Sequence, residues 1–138
     1  MASDFNKQVI EEFRANGGKV GGYFEGSPLV LLTTTGAKSG NQVTSPVMYL
    51  NDGDDRVIVI ASNAGADKHP AWYHNLVATP VATAEIGTDT YTAKAEFVEG
   101  PDRDALYARM VAQAPGFAEY EAKTTRRIPV VALSLSPA

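Results

Sequence analysis

Directly after an apolar run, Leu29-Val30-Leu31-Leu32, the chain reads Thr33-Thr34-Thr35-Gly36-Ala37-Lys38-Ser39-Gly40. A strand, a small turn, an ammonium and hydroxyls are the parts of an anion site, because the backbone N–H groups of a turn together with one lysine hold a phosphate. The segment is not a Walker A loop. That motif needs glycine directly before the lysine and another five residues before that, where Ala37 and Leu32 stand. The same residues also fit a plain Gly-rich hairpin turn.

A second segment, Ala61 to Leu76, leaves an apolar strand through small residues and enters a helix. Small side chains at a strand end let a flat ligand approach the backbone, and a helix start presents free N–H groups to an anion. Trp72, Tyr73 and His74 are consecutive, so on a helix they splay over different faces, with Trp72 as a pocket wall or core anchor. Other chemistries find less support. His69 and His74 are five apart, on different sides of a helix, and there is no HExxH pattern, so no metal site is expected. No Gly-x-Ser-x-Gly elbow is present. Asp52, Asp54 and Asp55 cluster in what reads as a solvated hairpin turn rather than an acid–base pair.

The elements that must position these residues follow from periodicity. Residues 4–16 read as an amphipathic helix with Phe5, Val9, Ile10 and Phe13 on one face, ended by Gly17-Gly18. It caps the core or, alternatively, serves as a lid or makes peripheral contact with a membrane surface. Leu29–Thr35 and Thr44–Leu50 read as strands, Pro46 placing the second at an edge or bulge. Asn51-Asp52-Gly53-Asp54 turns the chain into Arg56–Ser62, whose Val57-Ile58-Val59-Ile60 is apolar without alternation, as in a strand buried on both faces. A helix is expected over His69–Ala78, a hairpin of Val81–Ile86 and Thr90–Val98 about Gly87, and a helix from Gly100-Pro101 with Leu106, Met110 and Val111 facing the core. A short helix near Phe117–Lys123 and a last strand, Pro129–Leu135, complete the chain. The fold class is therefore mainly β with helices (α+β): about six largely antiparallel strands in a small barrel, with three or four short helices on its rim. Residues 1–138 form one domain, with 1–27 an N-terminal helix and Gly-rich connection and 28–138 the barrel.

Composition sets limits on function. The 138 residues are 44% hydrophobic and 20% charged, ordinary for a globular domain. No apolar window approaches the roughly 18 residues of a membrane span, and the N-terminus has no signal-peptide pattern, so a cytoplasmic protein is expected. With no cysteine there is no disulfide or thiolate chemistry. A net charge of −4 argues against nucleic acid as a partner; a polyanionic ligand needs a local positive patch against that sign.

Taken together, the motifs resemble the deazaflavin-dependent nitroreductase family, split-barrel proteins that use coenzyme F420. The carrying segments are Leu31 to Gly40, Val57–Ser62, Lys68-x-Pro70-x-Trp72-Tyr73-x-Asn75-Leu76, Pro115-Gly116-Phe117-x-x-Tyr120 and Arg127-Ile128-Pro129-Val130, in the family's order across residues 28–135. The resemblance implies a split β-barrel related to FMN-binding flavin reductases, with F420 rather than FMN as cofactor. It implies that the turn at Ala37, Lys38 and Ser39 and the strand start Val43, Thr44, Ser45, Pro46, Val47 and Met48 hold the phosphate end. It implies that Ile60, Ala61, Ser62 and Asn63, with Ala71, Trp72, Tyr73, His74 and Asn75, line the deazaflavin. The chain departs from the family pattern. Ala37 and Val43 stand where many members have arginine, Asn63 where lysine is frequent, and Met48 where the best-known nitroreductases have tyrosine. Lys38 then remains as a point charge without the bidentate fork of arginine, unless Gln42, Thr44 or Asn63 compensates.

Two functions fit this reading. One is an F420-dependent oxidoreductase that passes a hydride from reduced F420 to an electron-poor small molecule, an activated enone, quinone or nitro compound. Tyr120 and Ser62 are then the candidates for proton donation and substrate orientation. The other is a non-catalytic F420 or flavin carrier on the same barrel. A monomer or weak homodimer is expected.

Overall fold

The computed structural model describes residues 4–21 and 28–138. Part of the Gly-rich connection expected within 1–27 lies outside the described residues. The elements run α1 (Asp4–Ala15), β1 (Leu29–Thr35), β2 (Gln42–Asn51), β3 (Arg56–Ile60), a 3₁₀ turn (Asn63–Gly65), α2 (Ala71–Ala78), β4 (Val81–Ile86), β5 (Asp89–Val98), α3 (Gly100–Gln113), α4 (Gly116–Lys123) and β6 (Val130–Pro137). The strands close into an antiparallel barrel in the order β1-β2-β3-β6-β5-β4. The expected α+β barrel of about six strands with three or four helices is the fold found, with four helices among the described residues.

Alternation explains the layers. From β1, Val30 and Leu32 enter the barrel interior, where Val57 and Val59 of β3 and Val131 and Leu133 of β6 meet them. The intervening Leu29 and Leu31 point outward and are covered by Phe13 of α1. From β3, Ile58 and Ile60 point outward against Leu106, Tyr107 and Met110 of α3 and Phe117 of α4. This is why Val57 to Ile60 lacks a polar alternate: each side of the strand is under cover. Each such buried aliphatic side chain contributes about 1.5–3 kcal/mol. Trp72 and Leu76 of α2 plug one end of the interior.

Two details open the site. Pairing of β2 with β3 covers only Tyr49 to Asn51, whereas pairing with β1 runs from Gln42 to Met48. The first half of β2 therefore has an open edge, and Pro46, which has no N–H to donate, lies in that half, the edge position its residue type demands. Helix α2 begins at Ala71, two residues later than the sequence suggests, because Pro70 is extended at its N-cap (φ −66°, ψ 154°) and holds His69 outside the helix. At the far side, Gly18 (φ 94°) brings α1's exit against the β4–β5 turn. A Cβ there would lie 2.6 Å from the Gly87 Cα, so only glycine permits the approach.

Candidate active site

The open half of β2, the β1–β2 turn, the end of β3 and the start of α2 enclose a cavity of about 920 Å³, roofed by Phe117 and Tyr120 of α4. This is at the upper end of the usual size for a cofactor site. Its wall includes Ala37, Lys38, Ser39, Val43, Thr44, Ser45, Pro46, Val47 and Met48 from the turn and β2. Ile60, Ser62 and Asn63 contribute from the β3 exit, and Ala71, Trp72, His74 and Asn75 from α2. Two candidates do not line it. Ala61 alternates with Ile60 and Ser62 and is buried in the barrel interior instead. Tyr73 lies one helical step round from Trp72 and sets its ring edge-on to Phe97 of β5, centroids 5.7 Å apart. The cavity also takes in Gly36, Lys68, His69 and Pro70 from the two segments already singled out, and Asn6 from α1, which no motif pointed to.

The turn is built for an anion. Gly36 N–H donates to the Asn41 carbonyl at 2.7 Å and Gly40 N–H to that of Gly36 at 2.9 Å, closing the loop. Among the described residues the N–H groups of Lys38 and Ser39 have no protein acceptor. The Ser39 Oγ accepts from Asn41 N–H at 3.1 Å, which leaves its own hydrogen to donate. Asn75 fixes the turn to α2. Its Oδ1 accepts the Ala37 N–H at 2.9 Å and its Nδ2 donates to Thr34 Oγ1 at 3.0 Å, with both side chains buried. Asn75 thus spends its amide on positioning the loop as well as lining the cavity.

The three side chains that could stand in for missing arginines are engaged within the protein. Gln42 Nε2 donates to Thr35 Oγ1 at 3.0 Å, Thr44 shares a 2.7 Å hydrogen bond with Thr33, and Asn63 Nδ2 donates to the Lys68 carbonyl at 3.0 Å. The second cation of the wall is Lys68. No aspartate or glutamate stands among the described lining residues, although the chain as a whole carries −4. The cavity is thus an electropositive hollow on an acidic protein.

The roof is held by a set of long-range contacts. Tyr107, from α3, donates to the Phe117 carbonyl at 2.6 Å, and burial, reinforced by Glu121, pushes its hydroxyl up to about 12. Arg103 is buried against the Tyr107 ring, 4.7 Å from its centre, and donates twice to the Ile128 carbonyl, at 2.7 and 3.1 Å. Gly65 (φ 83°) packs directly beneath α4, where a Cβ would lie 3.1 Å from the Tyr120 Cα. Nothing in the sequence marks Arg103 or Tyr107, because charged and hydroxyl-bearing residues at these positions look solvated until the packing is seen.

The histidines correct the spacing argument. His69 precedes the helix, so the rule of opposite helical sides does not apply, and the His69 and His74 rings meet with centroids 5.7 Å apart. Among the described residues no group of three or more metal-ligating side chains forms. Burial holds His69 below its ordinary value, and the charges of Arg126 and His74 act in the same direction.

The site is thus a large, electropositive, aromatic-walled cavity at the open edge of a six-stranded closed antiparallel barrel. Residues 5–134 match the sequence model of the F420H(2)-dependent quinone reductases, and the chain belongs to that family. An F420H(2)-dependent quinone reductase of Mycobacterium tuberculosis is 35% identical over 128 residues, 88% of this chain and 84% of that protein. A solved F420-H2 dependent reductase (FDR-A) is 37% identical, with a TM-score of 0.70 over 78% of this chain and 94% of that one. A second solved structure, described as a domain-swapped dimer, is 34% identical with a TM-score of 0.72 over 93% of each chain. The haem storage protein HutZ of Vibrio cholerae shares the fold alone, at 14% identity. The protein is therefore an F420-dependent reductase, and family membership favours the enzyme over the carrier. Among the described residues no helix is long and apolar enough to cross a membrane.

Proposed function

We propose that the cavity holds reduced F420 beside an electron-poor small molecule, a quinone, activated enone or nitro compound, and that the acceptor is reduced there. The observation that carries this reading is the charge pattern of the wall: Lys38, Lys68 and two unpaired turn N–H groups, with no carboxylate among the described lining residues. F420 carries a phosphate and an oligoglutamate tail, and this wall is complementary to such a polyanion. When bound, the cofactor supplies a hydride from C5 of its deazaflavin ring.

The chain's own residues do the rest. Lys38 and the Lys38 and Ser39 N–H groups meet the phosphate. Val43 to Met48 offer the open backbone edge of β2, and Ile60, Ser62, Asn63, Ala71 and Trp72 give the flat ring a small-residue floor and an aromatic wall. His74 and Asn75 complete that side, Asn75 by holding the turn. Phe117 and Tyr120 cover the opposite side and leave room for the acceptor. Holding two flat molecules face to face needs rigid apolar walls more than a strong base. The anion left by hydride addition is basic enough to take a proton from Tyr120, from Ser62 or from water. The test has two parts: fluorescence titration of the protein with F420 and with FMN, and anaerobic turnover of reduced F420 with a soluble quinone. F420 binding tighter than FMN, with quinone-dependent oxidation, supports the reading. FMN binding without F420 binding refutes it.

A further inference from the structure

Arg126 lies in the connection between α4 and β6, yet its guanidinium gathers the whole loop that leaves β3. It donates to the carbonyls of Ala61 at 3.1 Å, Ser62 at 2.7 Å and Ala66 at 2.8 Å. Its fourth contact joins Nη1 to Nδ1 of His69 at 2.9 Å. A guanidinium has five donors, no acceptor and a permanent charge. At that distance the His69 Nδ1 must therefore be the acceptor, and the hydrogen of the neutral ring must sit on Nε2. An imidazolium would have no lone pair to offer and would set one positive charge against another.

His69 is itself part of the cavity wall, next to Lys68 and Pro70. Its ring is wedged against Tyr73 (centroids 4.7 Å) and His74 (5.7 Å), so its orientation is fixed from two sides. Among the described residues its Nε2 has no hydrogen-bond partner. The charged and titratable groups around it are Arg126 from the α4–β6 connection, Lys68 and Asp67 from its own loop, the latter held by Thr124 at 2.9 Å, and Tyr73 and His74 from α2.

We propose that Arg126 locks His69 as the neutral Nε2–H tautomer, and that this N–H is a hydrogen-bond donor from the cavity wall to a carbonyl oxygen of the bound molecules. The inference rests on the cavity being the cofactor and acceptor site. The oxygen belongs to the deazaflavin ring or to the electron acceptor; the chemistry is the same. A neutral imidazole polarises such an oxygen as charge develops on it and keeps its proton throughout. In this arrangement His69 touches the bound molecule and Arg126 acts through it, as a positioning residue.

The tautomer is read directly by long-range ¹H–¹⁵N correlation of the two histidines in the full chain at pH 7.5, assigned with His69→Phe. The expected result is the Nε2–H pattern for His69, replaced in Arg126→Gln by a mixture of tautomers. A His69 protonated on Nδ1, or on both nitrogens, overturns the proposal. In function, His69→Phe keeps a ring against Tyr73 but removes the donor, and His69→Gln returns an N–H near the same place. His69→Phe should lose about 3- to 10-fold, the worth of one hydrogen bond, and His69→Gln should recover most of it. The loss falls on F420 affinity if the oxygen is the cofactor's, and on acceptor kcat/KM at unchanged F420 affinity if it is the acceptor's. Active wild-type protein with His69→Phe equal to it in both readouts overturns this proposal alone. Wild-type protein that neither binds F420 nor reduces a quinone removes the underlying cavity reading and the ligand part of the proposal with it, while the tautomer still reports on Arg126. Should His69→Phe fail to fold, Arg126→Gln is measured in the same assays: an unchanged tautomer and unchanged kinetics there refute the lock.

Discussion

Replacing Asn75 with alanine separates the loop's positioning from its charge. The side chain is 6% exposed and makes two hydrogen bonds that tie the anion turn to α2, one from Ala37 N–H and one to Thr34, itself 1% exposed. A typical internal hydrogen bond contributes about 0.5–1.5 kcal/mol, and a buried donor left without a partner costs about 1–3 kcal/mol. Asn75→Ala removes both bonds and leaves the buried Thr34 hydroxyl without its partner, while the exposed Ala37 N–H turns to water, so the loss is about 2–3 kcal/mol. For a domain of this size that lowers the melting temperature by about 6–12 °C. Because Ala37 is adjacent to the free N–H groups of Lys38 and Ser39, F420 affinity should fall as well, by about tenfold. Calorimetry and fluorescence titration on the same samples measure the two effects. Thr34→Val in the same background closes a double-mutant cycle, and coupling of at least about 0.5 kcal/mol is expected between residues in direct contact. If Asn75→Ala melts within 1 °C of wild type and binds F420 normally, the amide does not position the turn and the reasoning fails.

Further outcomes follow from the same geometry. Lys38→Ala should weaken F420 binding by about 1.5–3 kcal/mol, the range for a charge-assisted hydrogen bond, with an unchanged melting curve; unaltered affinity in calorimetric titration would assign the phosphate to backbone N–H groups and Lys68. Gly65→Ala meets both a positive φ and the α4 backbone, so about 1–3 kcal/mol of stability should be lost, and displacement of Phe117 and Tyr120 should lower acceptor turnover more than F420 affinity in steady-state kinetics. His69 titrates below its ordinary 6.5 in the folded protein. The unfolded chain therefore binds more protons in that range, and stability should decline as the pH falls below about 6.5; in urea melts across pH 5–8, His69→Gln should flatten this slope, and an equally steep slope in the variant would assign it to other groups.

The sequence makes the barrel legible where residue type and local geometry coincide. The four-residue apolar run of β3 has no polar alternate because α3 and the barrel interior cover its two sides, and Pro46 marks the unpaired half of β2 where the cavity opens. The cavity wall was legible as two separate short motifs because each is local: one turn, and one strand exit leading into a helix. What spacing missed depends on direction and distance. Ala61 and Tyr73 sit in the right segments but one step out of phase, where the chain's own alternation turns them away. Arg126 stands 57 residues from His69, and Asn75 stands 41 from Thr34. No local pattern carries those pairings; only closure of the barrel brings them together.

The central claim is direct hydride transfer from reduced F420 to an electron-poor acceptor held in this cavity. Anaerobic single-turnover oxidation of C5-deuterated reduced F420 by an activated enone tests it most directly. One reduced enone per cofactor oxidised, with deuterium at the carbon β to the carbonyl, is the predicted result. Label lost to solvent, or cofactor that no enone, quinone or nitro compound oxidises, contradicts it.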